Sequence, residues 1–367
     1  MDAFHSGALR ASIPLLIGFA ALSSGARAET YVLKDLVPLA GTSSFASGIN
    51  DVGEVVGSLS TGGPQKLFVY THGRIVTPTV PGLVATDSVE PTGINDVGQV
   101  IGFGCCIDGP GAFIYNFKTQ AVAAIPVGPQ SDVAAINDRG EVTGEGSEGL
   151  QGPFAFLYDS KSGTVSGLGS LAPGLFDATS SGNGINAAGS VTGSAEIESG
   201  AQHAFIYVGG EMRDLGTLGG QNSAGNGINR ADQITGWSLT ASGSMHAFQY
   251  ANGTMTDLGT LGGDFSQGNS INHSGDIVGD SDEAGDAVVH AFIYRDHKMT
   301  DLNKLIDSRS PLARFVSLSG GVGINDRGEI AANGSDSRTG ESHAYLLIPN
   351  RERRGDEDDG GEERREH

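Results

Sequence analysis

The dipeptide Ile-Asn recurs with its asparagine at Asn50, Asn95, Asn137, Asn186, Asn229, Asn272 and Asn325, at steps of 45, 42, 49, 43, 43 and 53 residues. A chain that repeats itself at this period is built from one supersecondary unit, copied and stacked. A glycine follows three residues after the asparagine in six of the seven copies (Gly53, Gly98, Gly140, Gly189, Gly275, Gly328), with Asp232 as the exception. Two residues further on stands Val or Ile, then usually another glycine, with Ala332 as the exception. Asn-x-x-Gly between apolar stretches is a turn, because the asparagine side chain bonds nearby backbone and glycine accepts positive φ. One strand therefore ends at Gly-Ile-Asn and the next begins at Gly-x-Val-x-Gly.

An aromatic pair at period two lies downstream: Phe68/Tyr70, Phe113/Tyr115, Phe156/Tyr158, Phe205/Tyr207, Phe248/Tyr250 and Phe292/Tyr294, with Tyr345/Leu347 in the last copy. The distance from asparagine to first aromatic is held at 18 to 20 residues, and alternation at period two places both side chains on one sheet face. A fourth strand is expected in EMRDLGTLGG (211–220) and TMTDLGTLGG (254–263). Four short strands with turns fill about 43 residues. Such a unit cannot cover both faces of its sheet alone, so copies must stack.

The expected fold is all-β, a seven-bladed β-propeller of four-stranded repeats; a linear solenoid is the alternative. The chain ends discriminate between them. The last repeat stops after HAYLLIP (343–349) without its Asp-Leu strand, while YVLKDLVPLAG (31–41) places Asp35 15 residues before Asn50. Asp214 and Asp257 stand at the same distance before Asn229 and Asn272. An N-terminal strand that completes the last blade is needed by a ring and not by a solenoid. Glycine, at 58 of 367 residues, agrees with a fold made of turns.

Residues 1–28 hold an apolar run, Ile13 to Leu22, followed by Ala26-Arg27-Ala28, the plan of a secretory signal peptide. The mature chain is expected to be secreted or periplasmic, with a propeller over 29–350, no transmembrane segment and a monomeric state. The tail 351–367 has no apolar side chain and is expected to be disordered. The neighbouring Cys105 and Cys106 staple nothing at a distance. Of the net charge of −21, residues 1–28 carry +1 and 351–367 carry −3, leaving −19 on 29–350. Such a surface repels phosphates, which excludes nucleic acid as a partner.

With HAFIY at 203–207, HAFQY at 246–250, HAFIY at 290–294 and HAYLL at 343–347, together with DLGTLGG and the Gly-Ile-Asn turns, the chain resembles the HAF repeat family of extracellular proteins. The resemblance spans about residues 31–349 and implies export and repeats, without an assigned reaction. The first three copies depart from it, with Lys66, Gly111 and Phe154 where histidine is expected.

His203, His246, His290 and His343 recur once per copy, as do Asp35, Asp214, Asp257 and Asp301. Residues that recur in this way are expected to serve structure: the imidazoles bonding a neighbouring blade or turn, the carboxylates accepting from turns or between blades. No catalytic, cofactor-binding or metal-ligating residue is assigned, and no cofactor is expected. Asp280, Asp282 and Asp286 have acidic spacing without a complete calcium loop, and a solvated turn is expected there. GxSxG, HExxH and P-loop patterns are absent from the sequence. The segment 302–315 is expected to form a short helix with Leu302, Leu305 and Ile306 on one face and Pro311 ending it. The functional expectation is a non-catalytic binding or scaffold module for an extracellular ligand or protein, met at the long connections around 169–183 and 303–321; an extracellular hydrolase or lyase is the alternative.

Overall fold

The computed structural model describes residues 29–350 apart from 83–87, 107–108, 129–130, 148–152, 176 and 286–287. The expected leader, the tail and Asp286 lie outside the described residues. Cys105 and Cys106 end the strand Gln99–Cys106. The described chain is all-β, its strands gathered into antiparallel sheets of four, with one 3-10 turn, Leu302–Leu305, between Lys298–Asp301 and Val316–Ile324.

Each sheet is one sequence repeat. In the fourth, Ser180–Ile185, Val191–Glu196, Gln202–Val208 and Glu211–Asp214 pair in chain order. The fifth and sixth sheets touch through a single parallel bridge, Met245 to Phe265. In the seventh, Val316–Ile324, Ile330–Asp336 and Glu341–Pro349 come from the C-terminal end and the fourth strand from the other terminus. Tyr31–Asp35 runs antiparallel to Glu341–Pro349, with Tyr31 opposite Pro349 and Asp35 opposite Tyr345. The fourth strand of the DLGTLGG repeats is shorter than the sequence suggests. It ends at Asp214 or Asp257, and the two glycines already belong to the next sheet, in Gly219–Ile228 and Gly262–Ile271.

The Phe of each aromatic pair is buried between neighbouring sheets: Phe68, Phe156, Phe205, Phe248 and Phe292 are wholly inaccessible, and Tyr345 takes this place in the seventh. Facing glycines let the strands approach. A Cβ on Gly236 would lie 1.9 Å from the carbonyl oxygen of Ala224 across a bulge, so a side chain there cannot fit. In the seventh sheet Ala332 holds that position, accompanied by a further register shift between Leu318 and Gly320.

The expected helix over 302–315 contracts to the one turn named above. Asp301 caps it by accepting from the Asn303 amide, and Ile306 is already extended and bridges to Tyr31. Leu302 and Ile306 are buried against Tyr31, Val316 and Leu318, so the apolar residues expected on a helix face do fill the core, by a different backbone path.

Removing residues 29–40 leaves the edge of Glu341–Pro349 unpaired and uncovers Leu33, Leu36 and Val37, all buried, at about 1.5–3 kcal/mol per side chain. The melting temperature of that variant should fall by more than about 10 °C, whereas removing 351–367 should leave it unchanged. Equal melting curves for 41–350 and 29–350 would show that this strand is dispensable.

Candidate functional site at the channel mouth

The first strand of each repeat faces a common channel. Its lining includes Ile49, Ile94, Ile136, Ile185, Ile228, Ile271 and Ile324, and it opens into cavities of about 230 and 260 Å³. At one mouth stand the repeat asparagines, each at most 5% exposed. The side-chain amide of each donates to the backbone carbonyl of the next: Asn50 to Asn95, Asn95 to Asn137, Asn137 to Asn186, Asn186 to Asn229, Asn229 to Asn272 and Asn272 to Asn325, over 2.9–3.3 Å. Asn325 then donates to Asn50 over 3.1 Å, and the cycle is complete.

The remaining capacity of these amides is also used. The oxygen of Asn229 accepts from the amides of Ala231 and Gln233, and its second N–H bonds the Gln233 side chain. Glu54, Gln99, Glu141, Asp276 and Glu329 play the Gln233 part for their own asparagines. The fourth repeat has Ser190 at this position, and the second N–H of Asn186 bonds Asp232 of the fifth repeat instead, at 2.8 Å. Asp232 is the one residue that replaces the turn glycine, and it holds φ at 55°. Two departures from the repeat are thus one compensated exchange.

The recurrent histidines and aspartates, read separately in the sequence, are partners. His203 Nδ1 lies 2.9 Å from Asp214, His246 2.9 Å from Asp257, His290 3.2 Å from Asp301 and His343 2.7 Å from Asp35. The first three pairs join third and fourth strands of one sheet, so the imidazole reaches its own repeat and not a neighbouring blade. The fourth joins the two ends of the described chain. Each aspartate also accepts a turn amide two residues on, as expected: Val37, Gly216, Gly259 or Asn303. The alanine of His-Ala-Phe completes the corner. Ala204 accepts from the Leu215 amide and donates to Ser223 of the next sheet; Ala247, with Leu258 and Ser266, does the same, and Ala344, with Leu36 and Ser44, does so across the termini. The motif is a joint between the sheets of successive repeats.

Unlike residues gather one position after each asparagine: Asp51, Asp96, Asp138, Ala187, Arg230, His273 and Asp326. Asp51 accepts from the Asp326 amide, Asp96 from that of Asp51, Asp138 from that of Asp96, and Asp326 from that of His273. Arg230 extends from the fifth repeat to Asp51 at 3.3 Å and Asp326 at 3.9 Å. Burial, and next the charge of Asp138, push the Asp96 carboxyl above its ordinary range. Sequence reading passed over this position because it sought what recurs. The signal was the opposite one, a variable residue set inside a constant turn.

Asp280 lies on the second strand of the sixth sheet, where Asn269 donates to it at 2.6 Å and also to the carbonyl of Gly321 in the seventh repeat. It is part of a sheet-to-sheet contact, not of a solvated turn. Burial, partly offset by the Asn269 bond, pushes its carboxyl up to about 6.

No family model and no curated protein matches the chain. Among solved structures, the β-propeller domain of the Trilobed protease from Pyrococcus furiosus, which has an open velcro topology, is similar at a TM-score of 0.56 and 9% identity, over 84% of this chain and 97% of that one. The acylaminoacyl peptidase of Pyrococcus horikoshii is similar at 0.54 and 10%, over 83% of this chain. TolB from Acinetobacter baumannii follows at 0.46 and 12%, over 85% of this chain. The chain spans 51% of that peptidase and 64% of TolB. The likeness is one of fold, that of β-propeller proteins.

Two outcomes follow from these contacts. Asn229→Ala strands partners at Gln233 and Asn272 and should cost about 2–4 kcal/mol in chemical denaturation, while His246→Ala, at a pair whose aspartate is exposed, should cost about 1 kcal/mol; the reverse order would demote the asparagine cycle. A carboxyl raised in the fold binds its proton more tightly there than in the unfolded chain, so stability falls as pH rises from about 4 to about 6. Asp280→Asn removes that cost, and should raise the melting temperature at pH 7.5 with a gain that vanishes near pH 4; a gain independent of pH would sink this account.

Proposed function

We propose that the chain is an exported, seven-bladed β-propeller of the HAF repeat kind, closed by its own N-terminal strand, that acts as a non-catalytic binding or scaffold module. The ring reading is supported by the pairing of Tyr31–Asp35 with Glu341–Pro349 and by the asparagine cycle that returns from Asn325 to Asn50. The likeness to a propeller domain over nearly its whole length agrees with it. Export rests on the plan of residues 1–28.

The observation that carries the binding reading is the division of labour at the Ile-Asn turn. The asparagines are wholly engaged in holding sheets together, and the position beside each is free to vary at the channel mouth. Four carboxylates, one guanidinium and one imidazole stand there, a set without a hydroxyl or thiol nucleophile. With Arg230 counted, the formal charge is −3, which favours a cationic group such as an amine or guanidinium on the ligand. The repeated His–Asp pairs, superficially like catalytic dyads, are spent on turns.

The test is a glycan and peptide array with residues 29–350, run beside a broad hydrolase screen. A basic ligand should be retained, and Asp51→Asn with Asp138→Asn should abolish retention at an unchanged melting temperature. Retention lost instead on replacing the 303–321 connection would move the site to the long connections. Turnover of a substrate, abolished by one substitution at the mouth, would make the protein an enzyme.

A further inference from the structure

We propose that Glu283, His290 and Asp301 form a site for a divalent transition-metal ion of the zinc class, with Lys304 as a built-in competing cation. The site is independent of the channel mouth and of the ligand reading above. Three elements of the sixth repeat meet here: the end of Ile277–Glu283, the strand Val289–Arg295 and the end of Lys298–Asp301. One potential ligand atom from each side chain lies within 4.8 Å of the others.

The separations suit a small ion. Metal–ligand bonds of about 2.0–2.2 Å in a tetrahedron set ligand atoms about 3.3–3.6 Å apart. His290 Nδ1 lies 3.2 Å from Asp301 Oδ2 and 3.7 Å from Glu283 Oε1. The third edge, between the carboxylates, is spanned by the Lys304 ammonium, 2.7 Å from Glu283 and 3.4 Å from Asp301. A cation of the chain itself therefore stands among these oxygens. Lys304 is 67% exposed and on a flexible stem, so it can withdraw into solvent with its proton.

Asp301 is prepared for the task. Its Oδ1 accepts from the backbone amide and the side-chain amide of Asn303, which fixes the carboxylate and leaves Oδ2 toward His290. Three protein ligands leave one position for water. A nitrogen donor with two carboxylates selects zinc or cobalt over calcium and magnesium, which take oxygen ligands.

The repeats provide an internal control. At the place of Glu283 the fourth repeat has Ile197 and the fifth Thr240, so their His–Asp pairs lack a third ligand. The seventh has Asp336, but both its carboxylate oxygens are engaged by the fork of Arg338. Glu341 of the seventh repeat meets His343 at Nε2, over 3.4 Å, on the far side of the ring from Asp35; among the described residues, the sixth repeat alone brings a third carboxylate to the Nδ1 side of the pair and closes it with a lysine.

Isothermal titration of residues 29–350 with zinc chloride, and visible absorption with cobalt, test the site. One ion per chain is expected, with d–d bands of a nitrogen-containing low-coordinate site and no heat from calcium or magnesium. Glu283→Gln, which leaves the His290–Asp301 bond in place, should weaken zinc at least tenfold. Lys304→Met should tighten it severalfold with an unchanged melting curve of the metal-free protein. Absence of stoichiometric zinc from both the wild type and Lys304→Met, or zinc affinity indifferent to Glu283→Gln, would overturn the proposal.

Discussion

The arrangement depends on a buried amide. An asparagine side chain carries two donors and an acceptor with two lone pairs, and in this protein the oxygen closes a turn while one N–H reaches the next repeat and, in most copies, the other grips a side chain of its own turn. A group so placed costs little only when all its capacity is met, because a stranded polar atom in the interior costs more than a satisfied one contributes. The cycle thus couples the geometry of each turn to the position of the following sheet. Removing one member disturbs two repeats.

The outer corners follow the same logic with different atoms. Where the short fourth strand ends, the third strand continues, and its alanine would be left with unpaired backbone groups. The leucine of Asp-Leu and a serine of the next sheet take them, and the histidine pins the aspartate that turns the chain. This explains why His-Ala-Phe and Asp-Leu travel together in the sequence. Across the termini the same joint is made by residues about 300 positions apart, Ala344 with Ser44 and His343 with Asp35.

The repeats differ from one another outside the asparagine cycle and the His-Ala-Phe corners. One such place is the residue after each asparagine, directed to the channel mouth; another is the end of the second strand, where repeat six carries Glu283. In a repeat protein the positions that recur report on assembly, and the positions that differ at one end of the stacked sheets are those available for recognition. The exchange of Ser190 and Asp232 is a warning within this rule, since that difference serves assembly after all.

The sequence by itself determined the all-β class, the repeat boundaries, the turn at each Asn-x-x-Gly and the kinship of residues 31–35 with the outer strands of the other repeats. Those features are local or periodic, and hydrogen-bonding capacity, φ preference and strand alternation are properties of residues a few positions apart. The pairing of histidine with aspartate, the gathering of Asp51, Asp96, Asp138, Arg230, His273 and Asp326, and the meeting of Glu283 with His290 and Asp301 were decided only by tertiary structure. Each joins residues separated by a hairpin or by one or more repeats, and nothing in their spacing along the chain records the direction in which a strand presents them. The segment 302–315 shows the same limit: its apolar residues were legible as core, but the bridge from Ile306 to Tyr31 replaced a helix with extended chain, because the N-terminal strand offered its backbone there.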